Sequence, residues 1–314
     1  MAKLTRTYTL KVEFDRAERC IYCGSRGGAD GLRVEHIIPD SIGGRLIYPG
    51  ASCHGCEQET HAFEGRVVSA AYGDTRAIFG MRRGNKRKWP SHFSVSVKRG
   101  DDTHIVPVTE EDLPTANWLV ILNHRPPLLD NKPALNGLKV DLALWSPSGD
   151  YLQRLQKVGP GIVDAAKTFN FDDFFRFLNK IAYSFAHATL RGQLNPLTNT
   201  FVYRDQGKRV RRYVGGDIVG RRDGRASDIH ELDLVQIQSG SILYIAVRVH
   251  LFAFADFPAY VVIVGTANDL TMAPEGATYP VGLPERWIDR HLDQTSAISP
   301  NTGVRFHLGQ VRQR

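Results

Sequence analysis

Polar and apolar residues alternate along the opening MAKLTRTYTLKVEF, the period-2 pattern of a half-buried strand. Residues 32–39, LRVEHIIP, read as a second strand that proline ends. A Cys20-Ile-Tyr-Cys23 turn and a glycine-rich stretch precede it. Gly43 and Gly44 open a loop that runs to Pro49 and Gly50, and Cys53-His-Gly-Cys56 forms a second tight turn. From Glu57 onward EQETHAFE predicts a helix. Turn, strand, loop, turn and helix make a compact ββα layout.

The second half is patterned differently. Residues 92–110 alternate like a hairpin, and Pro114, Pro126, Pro127 and Pro133 break up the next stretch of chain. Residues 171–190, FDDFFRFLNKIAYSFAHATL, predict the clearest helix, with Phe174, Phe177, Leu178, Ile181, Phe185 and Ala188 at helical spacing. Asp172 and Asp173 suit the positive end of its dipole. The stripe reads as core packing. Residues 242–249 and 260–264 read as buried strands joined through Asp256, Phe257 and Pro258. The fold class is α+β, with a small domain in residues 1–90 and a larger α+β domain in residues 91–314. A chain of 314 residues suits two domains, since single cores seldom grow past about 250–300 residues.

No run approaches the ~20 apolar residues of a membrane span, and the N-terminus lacks the apolar core of a signal peptide. The expectation is a cytoplasmic protein. A net charge of +7 permits polyanionic partners without requiring them. Arg82, Arg83, Lys86, Arg87 and Lys88 cluster around a glycine, and Arg209, Arg211 and Arg212 lie in a second basic segment around Tyr213. Either could grip a nucleic-acid backbone or form a solvated turn.

All four cysteines of the chain fall into two Cys-x-x-Cys pairs with 29 residues between them. Two thiolates in a tight turn can reach one tetrahedral zinc, and a second pair completes the shell. The alternative is two disulfides or four buried thiols, but Cys-x-x-Cys disulfides are strained. A closed four-sulfur shell leaves no position for water, so such a zinc is structural.

Chemistry is concentrated nearby. Glu35 and His36 are adjacent on a strand, so their side chains leave on opposite faces unless the strand ends or twists. Phosphodiester hydrolysis needs a divalent ion to neutralise developing charge and a base to take a proton from water. A carboxylate suits Mg²⁺, and a histidine titrating near neutrality suits the base. Glu57 and His61 lie four apart on the helix, hence on one face.

Cys-x-x-Cys, Val-Glu-His-Ile-Ile-Pro, Gly-Gly and Ala-Ser-Cys-x-x-Cys-Glu-x-x-x-His together resemble the HNH (ββα-metal) endonucleases of the four-cysteine type. The resemblance covers residues 18–70 and implies a zinc-stapled ββα domain. It implies His36 as general base, with Glu35 and Glu57 as ligands of a catalytic Mg²⁺ or Mn²⁺ and His61 on the ion or the phosphate. The family's middle asparagine is not evident in residues 44–50, so backbone groups of the Pro-Gly turn could hold the loop in its place.

The implied activity is hydrolysis of DNA, with RNA as a second substrate class. Residues 91–314 would then supply targeting, sensing or assembly, through a homo-oligomer or a partner protein. The family-level setting is bacterial or phage defence, restriction or a mobile element. The rival from another class is a non-catalytic zinc module that binds nucleic acid or protein. No P-loop, GxSxG elbow or dinucleotide fingerprint supports another hydrolase or a nucleotide enzyme.

Overall fold

A computed structural model describes residues 11–79, 81, 92–109, 111–114, 117–132, 140–146, 151–159, 162–163, 169–203, 207–217, 228–255, 257–267 and 281–282. The architecture is α+β.

The first unit is a three-stranded sheet beneath one long helix. Strand β1 (Val12–Glu13) pairs in parallel with β3 (Leu46–Cys53), which pairs antiparallel with β2 (Leu32–His36). Helix α1 (His54–Ile78) starts three residues before Glu57, so the second cysteine turn runs from the last residue of β3 into the first turn of the helix. Strand β2 stops at His36, before the expected Pro39. The glycine pair of the connecting loop has a steric reason. A Cβ on Gly44 would lie 1.9 Å from the Ile38 carbonyl oxygen, and Gly43 has φ +91°.

Beyond it come the expected hairpin of β4 (His92–Arg99) and β5 (Asp102–Thr109), then β6 (Asn117–Ile121) paired with β7 (Asp141–Trp145). Helix α2 (Tyr151–Val158) precedes β8 (Ile162–Val163), which extends the hairpin sheet through β4. Helix α3 (Phe171–Thr189) is capped by the Asn170 side chain, which accepts from the backbone N–H groups of Asp172 and Asp173. The last sheet runs β10-β13-β12-β11-β14, with β9 also on β13. Its strands are β9 (Asn195–Pro196), β10 (Val214–Gly216), β11 (Asp228–Ser239), β12 (Ile242–Leu251), β13 (Ala259–Ala267) and β14 (Val281–Gly282). On β12, Ile245, Val247 and Val249 enter the main core, while Tyr244 and Ala246 pack on the opposite face with Val261 and Ile263.

The expected boundary at residue 90 does not divide the core. One apolar cluster holds Tyr22, Ile37, Ile38, Phe63 and Val67 together with Phe174, Phe177, Ile181, Val247 and Val249. Helix α3 joins the two, packing on β12 and β13 and also on α1. Among the described residues, no helix is long and apolar enough to cross a membrane.

Candidate functional site

The four cysteines converge. Their sulfurs all lie within 4.8 Å of one another, with Cys23 and Cys53 3.6 Å apart. A tetrahedral ion about 2.3 Å from each thiolate needs sulfurs about 3.8 Å apart, so the set fits one ion. Cys20 and Cys56 are buried while Cys23 is exposed, so the centre sits at the edge of the core. A hydrogen bond from Cys56 holds the Cys20 thiol down at about 4, and the same contact pushes Cys56 far up. Four sulfurs this close cannot all ionise on their own account. A dication at their centre would remove that conflict.

The acids and histidines are arranged differently. Glu35 points inward and is only 4% exposed. Its carboxylate lies 2.5 Å from the ammonium of Lys180 on α3, which also lies 2.7 Å from Glu64 of α1. Lys180 donates as well to the carbonyl oxygens of His36 and of Ile37, the latter at 3.3 Å. Burial pushes Glu35 up to about 7 against the opposing pull of Lys180, with Glu64 adding to the rise. Burial alone would lower Lys180, but the two carboxylates outweigh it and hold the ammonium above its ordinary range.

His36 is half-buried on the other side of the strand end. Burial first, and then the charge of Lys180, lower its pKa; Asp40 opposes them, while Lys11 and His61 add to the lowering. Its Nδ1 is buried and has no hydrogen-bond partner among the described residues. Glu57 lies on the face of α1 nearer solvent and pairs with Arg33 of β2 at 2.8 Å, with His54 Nδ1 3.9 Å away. His61 is exposed one turn further along α1.

The structure therefore brings His61 within electrostatic reach of His36 but does not gather Glu35, Glu57 and His61 at one point. Among the described residues, the cysteines are the only group of three or more acidic, histidine or cysteine side chains close enough to share an ion. As arranged, the residues expected to hold a catalytic divalent ion do not fit it as a set. Glu35 could reach such an ion only by giving up Lys180.

The loop between β2 and β3 is held by long-range contacts, not by the Pro-Gly turn. Nε2–H of His230 on β11 donates to the Ile42 carbonyl at 2.8 Å, while its Nδ1 accepts the Phe252 backbone N–H at 3.2 Å. Arg76 of α1 donates to the Ser41 carbonyl at 2.8 Å, and Arg45 pairs with Asp40 at 2.6 Å. Pro49 and Gly50 lie within β3, where two extra residues bulge opposite the Arg33-to-Glu35 step.

The basic residues divide as well. Arg82, Arg83, Lys86, Arg87 and Lys88 lie outside the described residues. Arg209 is exposed and Arg212 half-buried. Arg211 requires a correction. It is buried, and its guanidinium donates to Asp172 in the first turn of α3, so it anchors that helix and is not free for phosphate.

The family model described as HNH endonuclease matches residues 20–68, from the first cysteine turn through the middle of α1. These residues form an HNH endonuclease domain of the four-cysteine type. No curated protein and no solved structure matched the chain. The match supports nucleic acid as the substrate class and a nuclease-type hydrolase as the enzyme class of the HNH domain. Sequence reasoning missed Lys180, His230 and the part that Glu64 plays beside Lys180. Their signal was a polar residue inside an apolar pattern, as in the Asn179-Lys180 pair amid FFRFLNKIAY.

Proposed function

We propose that the HNH domain hydrolyses phosphodiester bonds in DNA, with zinc in the four-cysteine centre and His36 as general base. The observation that carries this reading is the state of His36. Inside the matched segment, at the end of β2, its Nδ1 is buried without a hydrogen-bond partner among the described residues, and burial and the charge of Lys180 lower its pKa, which favours the neutral imidazole. A neutral imidazole there can take a proton from water as the water attacks phosphorus and the bond to the leaving oxygen breaks, the leaving oxygen on the far side taking its proton from solvent. His61 and Glu57 lie toward solvent, where a phosphate can approach. A divalent ion such as Mg²⁺ or Mn²⁺ would supply charge neutralisation in such chemistry, and Glu35 could help hold it only after leaving Lys180. Arg209 and Arg212, with the basic segment 82–88, are the proposed contacts to the DNA backbone. Residues 91–314 serve targeting or assembly in a cytoplasmic defence or mobile-element setting.

Neutralisation of both acids, Glu35 by Lys180 and Glu57 by Arg33, favours a second reading: a non-catalytic domain that binds nucleic acid. Nicking of supercoiled plasmid in Mg²⁺ or Mn²⁺ separates the two. Under the first reading His36→Ala lowers the rate about 10²–10⁴-fold with zinc content unchanged. Equal rates in wild type and variant, or DNA binding without cutting, would leave the second reading standing. Competition with RNA of the same sequence settles the substrate.

A further inference from the structure

Lys180 reaches the HNH domain from 144 residues downstream of His36 and is wholly buried there. Its ammonium sits among four oxygens: Glu35 Oε1 at 2.5 Å, Glu64 Oε1 at 2.7 Å, and the carbonyls of His36 and Ile37. Two carboxylates and two carbonyls are the ligand set of a hard cation such as Ca²⁺ or Mg²⁺. Here the cation belongs to the chain.

The carbonyls add a geometric point. In a regular strand, successive carbonyls point to opposite sides. Those of His36 and Ile37 converge on one nitrogen, so this contact lies where β2 stops. The Ile37 N–H meanwhile returns to the Leu46 carbonyl at 3.1 Å. The peptide that carries the His36 ring is thus held from both sides, by β3 and by α3.

We propose that Lys180 is a positioning residue of the cutting site. Its ammonium fills this cradle in place of a metal ion, fixes the backbone that aims His36, and withholds Glu35 from any divalent ion. The proposal rests on the hydrolytic reading above for its rate consequences, but not for its consequence for ion binding. A lysine suits the task because its charge is compact and its three N–H donors can turn toward several acceptors. Other residues of α3 hold the same unit. Tyr183 donates to the Ile21 carbonyl at 3.0 Å, the His187 ring meets the Tyr48 hydroxyl at 3.0 Å, and the Arg176 guanidinium lies 4.6 Å from the Phe63 ring centroid. Lys180 belongs to this docking stripe and is the member that lies under His36.

The test uses the full, zinc-loaded chain. Removing Lys180 alone would strand two buried carboxylates and is expected to unfold the protein. The electrically neutral E35Q/K180M/E64Q variant avoids this. It should keep its zinc and a cooperative melt, and lose about 100-fold in kcat for plasmid nicking with KM within about twofold, because small misplacement of a base is costly. An unchanged kcat in the folded variant overturns the positioning role.

Should that variant fail to fold, E35Q decides by Mn²⁺ titration followed by electron paramagnetic resonance. The Mn²⁺ Kd should stay within about twofold of wild type. A weakening of about tenfold or more would make Glu35 an ion ligand and overturn the proposal. If the wild type does not cut DNA in either metal, the hydrolytic reading fails while the titration still judges the cradle.

Discussion

Two sets of potential metal ligands lie within the same short stretch of chain, and they assemble by different rules. Cys20, Cys23, Cys53 and Cys56 meet because each pair sits in one tight turn and β3 delivers the second turn to the first. Glu35, Glu57 and His61 have comparable spacing, yet they part company. Glu35 is drawn into the core by a cation on α3, and Glu57 is held near solvent by Arg33. A local turn fixes a thiol wherever the rest of the fold lies. A long carboxylate goes to whichever cation it finds, and one of these was supplied by a distant helix. Ligand spacing therefore decides a site only where no other charge competes for the ligands.

The largest effect that would sharpen this contrast is loss of the sulfur centre. Cys20→Ser should abolish stoichiometric zinc and unfold residues 20–68, since structural zinc contributes about 10 kcal/mol or more of apparent binding energy to such units. Native mass spectrometry with zinc added, beside a melting curve, checks it. A variant that retains one zinc and its melting temperature would erase the distinction between the two sets.

Smaller, and specific to the long-range half of the comparison, is the response to acid. His230 is fully buried with its pKa lowered to about 4 by desolvation, against 6.5 ordinarily. Its folded pKa is depressed, so the unfolded chain binds the proton more readily. The group's contribution is therefore present above about pH 6.5 and is lost as pH falls towards 4, roughly 3 kcal/mol in all. Protonation also places a hydrogen on Nδ1, facing the Phe252 N–H. Denaturant titrations across this window should show the loss, and His230→Phe should make it shallower, the remainder coming from His187, which burial also lowers to about 4, and from His36 and His250, which burial lowers as well. An unaltered pH slope in that variant would mean that the loop between β2 and β3 stands without its latch.

The smallest effect tests the loop itself. Gly44→Ala must displace the Ile38 carbonyl and should cost about 1–3 kcal/mol, read as a lower melting temperature. Full stability would show that the loop yields easily and that its shape does not depend on the glycine.

The local parts of this molecule were legible in the sequence. The cysteine turns, the Glu35-His36 strand and the Gly43-Gly44 loop lie in signals a few residues long, and all fall inside the matched segment. Helix α3 was legible as a helix because Phe174, Phe177, Leu178 and Ile181 repeat at its period. Its polar residues were not legible as partners. Arg176, Lys180, Tyr183 and His187 look like the wet side of an amphipathic helix, yet the first three are buried and His187 is half-buried, all against the HNH domain. Periodicity separates faces by polarity. It cannot tell a face that meets water from one that meets another unit's carbonyls and carboxylates. Strand β11 was not read as a strand: Glu231 and Asp233 interrupt its apolar positions, and across the ladder they lie opposite His250 and Arg248, which balance their charge.

The placement of Lys180 has a bearing on when the molecule is made. Chains leave the ribosome from the N-terminus at about 5–20 residues per second, and residue 180 comes after the end of α1 by roughly 100 residues, or roughly 5–20 s. During that interval the emerging segment carries Glu35 and Glu64 without the Lys180 ammonium, and Phe63 and Val67 without the apolar residues of α3 that share their cluster. An HNH domain braced only by later-born chain stays slack until synthesis is well advanced.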